Sequence, residues 1–123
     1  MNHSSDNTQT DQQLVKLVLQ GNRNAFAQII RNTEHLVGSI IYRMISHPED
    51  RRDLAQDVYL KAFHKLSGFR FQSKLSTWIA QIAYNTCYSF LDKKKLLITE
   101  IEDKIMLPEN EIEAHFDNKA NSE

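Results

Sequence analysis

Cysteine occurs once in the 123 residues, glycine three times and proline twice. The lone thiol, Cys87, excludes an intramolecular disulfide framework and any zinc or iron–sulfur site built from several cysteines. It fits a reducing compartment. Sandwiches and barrels need turn residues about every 8–12 positions, and so few glycines and prolines cannot supply them. Nor does any apolar run approach the ~20 residues that cross a bilayer as a helix. The opening Met1-Asn2-His3-Ser4-Ser5-Asp6-Asn7 has neither the basic start nor the apolar stretch of a secretory leader. The expectation is one cytoplasmic, all-α domain. Its apolar fraction of 41%, a little under the usual ~45–50%, still suffices for one core.

The net charge of −1 hides an uneven distribution. Residues 1–100 carry 13 Lys and Arg against 9 Asp and Glu, whereas residues 101–123 carry 2 against 7. Between residues 58 and 95 stand seven cations (Lys61, Lys65, Arg70, Lys74, Lys93, Lys94, Lys95) and one anion, Asp92. A basic stretch followed by an acidic tail suits nucleic-acid binding. It suits equally a solvated helix surface with a solubilising tail.

Hydrophobic spacing predicts a bundle of four main helices. Residues 1–9 are polar and aperiodic, and are expected to be disordered. Thr10-Asp11-Gln12-Gln13 has the form of a capping box, opening a short helix with Leu14, Val15, Leu17 and Val18 inward and Gly21 at its end. Asn22 or Asn24 caps a second helix, whose stripe is Phe26, Ile29, Ile30, Leu36, Val37, Ile40, Ile41, Met44 and Ile45, with one gap at Thr33. The third begins at Pro48, with Glu49 and Asp50 at the positive end of its dipole, and runs to about Leu66. A polar loop, 69–73, precedes the fourth, expected over about Lys74 to Lys95. The helical domain thus covers 10–95, and 96–123 reads as an acidic linker or tail with at most transient helix.

Motifs for catalysis are missing. The five histidines are scattered without metal-ligand spacing, and there is no phosphate loop or nucleophile elbow. No metal, cofactor or enzymatic activity is expected. Two surfaces carry chemistry instead. Asp53, Gln56 and Asp57 share one face of the third helix at i, i+3 and i+4, with Tyr59 bordering it: either a solvated row or a dock for basic groups. Phe69, Arg70, Phe71, Lys74, Trp78, Gln81, Asn85 and Tyr88 interleave rings, cations and amides. Single-stranded nucleic acid is bound by that mixture, but Phe71 and Trp78 could equally be core residues.

The runs Asp53-Leu54-Ala55-Gln56-Asp57-Val58-Tyr59-Leu60-Lys61-Ala62-Phe63, Gly68-Phe69-Arg70 and Ser76-Thr77-Trp78-Ile79-Ala80-Gln81-Ile82-Ala83-Tyr84-Asn85 resemble region 2 of bacterial RNA polymerase sigma factors of the extracytoplasmic-function (ECF) group. Asp11, Leu14-Val15, Gly21-Asn22 and Ala25-Phe26 extend the match, which covers about residues 11–95. The resemblance implies a transcription initiation factor. Asp53, Gln56, Asp57 and Tyr59 would bind the clamp coiled coil of the polymerase β′ subunit. The loop and the next helix would capture the non-template strand of the promoter −10 element, through Phe69, Arg70, Lys74, Trp78, Gln81 and Asn85. Lys61, Lys65, Lys93, Lys94 and Lys95 would hold flanking phosphates, and an anti-sigma factor is a further implied partner.

Three features depart from the family pattern. Phe71 stands where the family often has glycine, lysines replace arginines at the end of the fourth helix, and the −35-reading domain is absent. The chain is therefore expected to be a fragment or a shortened relative. The competing reading is a helical protein-interaction module without a nucleic-acid role. It would gain if Phe71 and Trp78 filled the loop, and lose if Arg70, Lys74 and Asn85 stood exposed around it.

Overall fold

The computed structural model describes residues 10–105, so the expected disorder of 1–9 and the tail beyond 105 lie outside the described residues. Four helices follow in order: α1 (Asp11–Leu19), α2 (Arg23–Met44), α3 (Pro48–Lys65) and α4 (Leu75–Ile105), with a 3₁₀ turn at Leu66–Gly68. No strand occurs among the described residues. The all-α reading holds.

Helix starts and stops are built by the residues that announced them. Thr10 Oγ1 accepts from the Gln13 N–H at 3.2 Å while Gln13 Oε1 accepts from the Thr10 N–H at 2.9 Å, a complete capping box. After α1 the chain turns through Gly21 at φ 99°. The Asn22 N–H reaches back to the Leu17 carbonyl and the Gly21 N–H to that of Val18, a Schellman closure that needs the left-handed backbone glycine adopts freely. Asn22 then caps α2, its Oδ1 accepting from the Ala25 N–H at 3.0 Å. At the other end of α2, Arg51 reaches over from α3. Its Nε donates to the Ile45 carbonyl at 2.6 Å, and its guanidinium lies 4.0 Å from the Tyr42 ring centroid.

Packing follows rows of every fourth residue. Ala25, Ile29, Thr33, Val37 and Ile41 of α2 are buried, as are Leu54, Val58 and Ala62 of α3. α4 adds Leu75, Ile79, Ala83 and Cys87, and α1 adds Leu14, Val15 and Val18. The row on α2 contains one polar residue, the gap seen in the sequence. Thr33 is buried but satisfied, donating to the Ile29 carbonyl at 2.9 Å and sharing a 2.7 Å hydrogen bond with the Tyr59 hydroxyl. The gap is thus a polar strut between α2 and α3.

Two expectations need correction. Leu36, placed in the buried stripe, is exposed. α4 does not end near Lys95 but continues as helix to Ile105, so residues 96–105 are not loose linker. Nothing in Leu96–Ile105 interrupts a helix: no glycine or proline occurs before Pro108, and the Thr99 hydroxyl folds back onto the Lys95 carbonyl at 3.1 Å. The 31 residues of α4 span about 46 Å at 1.5 Å per residue.

Candidate functional site

Two outward faces carry the sequence-nominated residues. The first is on α3. Because that helix buries only its 54/58/62 row, Asp53 and Asp57, one position before it, and Gln56, two positions after Leu54, are carried to its outer side. Asp53 and Gln56 are exposed, and Asp57 and Tyr59 are half-buried. The phenol of Tyr59 is held above its ordinary value, chiefly by burial; its bond to Thr33 opposes this and nearby Glu34 adds to it. Beside the acidic row lies an apolar groove of about 520 Å³ between α2 and α3, lined by Phe26, Ile30, Ala55, Gln56, Tyr59, Leu60 and Phe63. Leu60 and Phe63 are 58% and 49% exposed, so this groove opens to solvent. Phe63 is one of the apolar positions of α3. It packs edge-on against Phe26 at 5.2 Å and His64 at 5.9 Å while remaining half exposed. Sequence reasoning missed the groove, although exposed Leu60 next to an acidic row was a usable signal.

The second face is formed by the loop after α3 and the first turns of α4. Phe69 is buried, and its ring lies 5.0 Å from that of half-buried Trp78. Phe71 packs tilted against Phe69, its centroid 4.6 Å away, and remains 42% exposed. Trp78, Phe69 and Phe71 thus form a three-ring ladder with the buried Phe69 in the middle and Phe71 at its exposed end. Phe71 adopts φ 59°, the left-handed region, which costs a residue with a Cβ about 1–2 kcal/mol. Arg70 and Lys74 flank the ladder and are exposed. Further along α4, Gln81, Asn85 and Tyr88 stand exposed at steps of four and three, with Tyr84 edge-on to Tyr88 at 6.4 Å. The loop's far end is fastened to α1, where Asp11 Oδ2 accepts from the Leu75 N–H at 3.3 Å.

The nominated cations fall into different settings. Lys65, Lys93 and Lys95 are exposed. Lys61 lies between Asp57 Oδ2 at 3.3 Å and the buried Thr86 hydroxyl at 3.2 Å, tying α3 to α4. Lys94 sits 3.6 Å from Asp50 Oδ2 and over the Phe90 ring. No group of three or more histidine, cysteine or acidic side chains able to hold a metal occurs among the described residues. No helix there is long and apolar enough to cross a membrane.

A family model described as Sigma-70 region 2 matches residues 29–96. The chain is 35% identical over 81 residues to the RNA polymerase sigma-H factor of Pseudomonas aeruginosa, covering 66% of this chain and 42% of that protein. It is 35% identical over 82 residues to the ECF RNA polymerase sigma-E factor of Escherichia coli, covering 67% and 42%. With the ECF RNA polymerase sigma factor SigW of Bacillus subtilis it shares 31% over 81 residues, covering 66% and 43%. The chain thus spans less than half the length of these relatives. Among solved structures, an engineered region 2 of sigmaE, determined by NMR in complex with GTAAAA, superposes with a TM-score of 0.65 at 32% identity. That match covers 77% of this chain and 95% of the other. With fold and relatives in agreement, the chain belongs to the sigma-70 region 2 family, as a region-2 domain of the ECF kind.

Proposed function

We propose that this domain serves a bacterial transcription initiation factor, in the cytoplasm, by gripping core RNA polymerase with one face and holding unpaired promoter −10 bases with the other. One observation carries the reading: the loop is open. Arg70 and Lys74 are exposed in the segment that carries Phe69 and Phe71, and Asn85 is exposed further along α4, on a chain that aligns with 95% of a region 2 solved with GTAAAA. That exposure argues against the pure interaction-module reading, in which the rings fill the loop.

The mechanism is binding, without catalysis by the domain. A base leaving the duplex loses a few kcal/mol of stacking, and an aromatic or cationic surface offsets that loss only while the base stays out. Stacking on rings contributes about 1–3 kcal/mol per base, so the ladder with Arg70 and Asn85 suits a strand that has already opened. Lys74, Lys65 and the Lys93–Lys95 run supply affinity that is blind to sequence and weakens with salt. On the α3 face, Asp53, Gln56 and Asp57 suit basic residues of the β′ clamp coiled coil, while the groove beneath Leu60 and Phe63 takes an apolar side chain from it. An anti-sigma factor covering that groove would compete with polymerase.

The test is a pair of calorimetric titrations, one with the isolated β′ clamp coiled coil and one with single-stranded GTAAAA. Saturable binding of both is expected, with Asp57→Lys abolishing the first and sparing the second. Failure of the folded chain to bind either would overturn the reading.

A further inference from the structure

Among the described residues, Phe71 is the only non-glycine with a positive φ. Its neighbours explain what the conformation achieves. The Phe71 ring lies 4.6 Å from the buried Phe69 and also reaches α1. There it walls a groove of about 440 Å³ with Gln12, Val15, Lys16, Leu19 and Gln20. Val15 is buried and Leu19 exposed, so the apolar lining runs from core to surface. Gln12, Lys16 and Gln20 are all exposed, and no carboxylate lines the groove. The volume is within the roughly 300–1,000 Å³ of clefts that hold small molecules.

This is a chemically mixed cleft: a flat ring on one side, branched apolar carbons on the other, two amides and one ammonium. Primary amides donate and accept in one plane and so match a base edge, whereas lysine meets a phosphate as a point charge. The groove shares Phe71 with the loop face: Arg70 precedes that ring in the chain, and Asp11 of α1 fastens the start of α4. We infer that the Phe71–α1 groove is a second nucleotide subsite. It takes one further unpaired base of the captured strand, stacked on Phe71, with its edge toward Gln12 or Gln20 and its phosphate at Lys16. The inference rests on the reading of the loop as a single-strand capture surface. It assigns α1 a direct role in binding the strand.

The experiment measures fluorescence anisotropy of labelled single-stranded hexamers based on GTAAAA, intact and with an abasic site at each position in turn. Four proteins are compared: wild type, Phe71→Gly, Lys16→Glu and Arg70→Glu. Glycine accepts the left-handed backbone without strain, so Phe71→Gly keeps the fold, checked by an unlowered melting temperature. We expect Phe71→Gly to weaken binding of the intact strand about tenfold, as for loss of one stacked base. That loss should vanish for the hexamer abasic at one position, and Lys16→Glu should weaken binding and lower its salt dependence. Equal binding by wild type and Phe71→Gly would overturn the subsite while leaving the capture reading intact. A Phe71→Gly loss that is the same for every abasic strand would also overturn it, since the ring would then only order the loop. If wild type binds no better than Arg70→Glu, the capture reading itself fails and the subsite with it.

Discussion

The two faces of this domain are made in opposite ways. The α3 face is a by-product of a regular helix: once Leu54, Val58 and Ala62 turn inward, Asp53, Gln56 and Asp57 are carried outward with no backbone strain. The loop face is assembled from a chain reversal, the start of α4 and, through Asp11, the first turn of α1. It also holds Phe71 in a left-handed conformation. A helix face offers charge and a groove at low cost but fixes little beyond spacing. A strained loop places a few rings closely, and its geometry depends on everything that clamps it. The contrast fits the proposed division of labour between gripping a protein helix and holding unpaired bases.

The shared core is where this contrast should collapse. Ile79 is fully buried in the common core, and Ile79→Ala should lower stability by about 2–5 kcal/mol. Thermal unfolding by circular dichroism would report it, with binding of polymerase and single-stranded DNA lost together near the lowered melting point. Loss of only one activity at that temperature would mean that the faces are stabilised separately.

A groove substitution should separate them. Phe63 is half exposed and rests on Phe26, so Phe63→Ala removes a contact surface more than a core residue. Binding to the β′ coiled coil should weaken by about 1–2 kcal/mol, as for a moderate interface anchor, with affinity for GTAAAA within twofold of wild type. A matched fall in both would show that α3 communicates with the loop.

The smallest effect concerns the strut. Tyr59→Phe removes one hydroxyl, but Thr33 keeps its bond to the Ile29 carbonyl, so about 1 kcal/mol or less should be lost. The pH dependence has a definite sign. Burial raises the phenol in the folded chain, so the unfolded chain ionises at a lower pH. Stability from this source is complete below about pH 10 and declines as pH rises further. Denaturant melts at increasing alkaline pH should show a shallower decline for Tyr59→Phe than for wild type.

These contrasts also explain what could be read in advance. The capping box at Thr10, the proline start of α3 and the acidic row at 53/56/57 were legible because each is a local rule with a fixed spacing. The exposure of Leu36 and Phe63 was not, because an apolar residue at the margin of a stripe is buried or bare according to which neighbours arrive. α4 outran its expected end because acids among leucines resemble a linker by composition, whereas continuation depends on the absence of a breaker. The left-handed turn at Phe71 is least visible of all, since no propensity favours it there. Its trace was a comparison, an aromatic ring where the resembling family often has glycine.

Cys87, introduced above as a limit on disulfides, has a practical consequence. It is the chain's one thiol, fully buried, and burial raises its pKa above the ordinary value. The thiolate is the reactive species, so the folded domain is silent toward alkylating reagents. A cysteine introduced at an exposed position such as Ser73 can therefore carry a dye without background labelling. Untouched, Cys87 becomes a clock whose rate of modification counts how often α4 lifts away from the other helices.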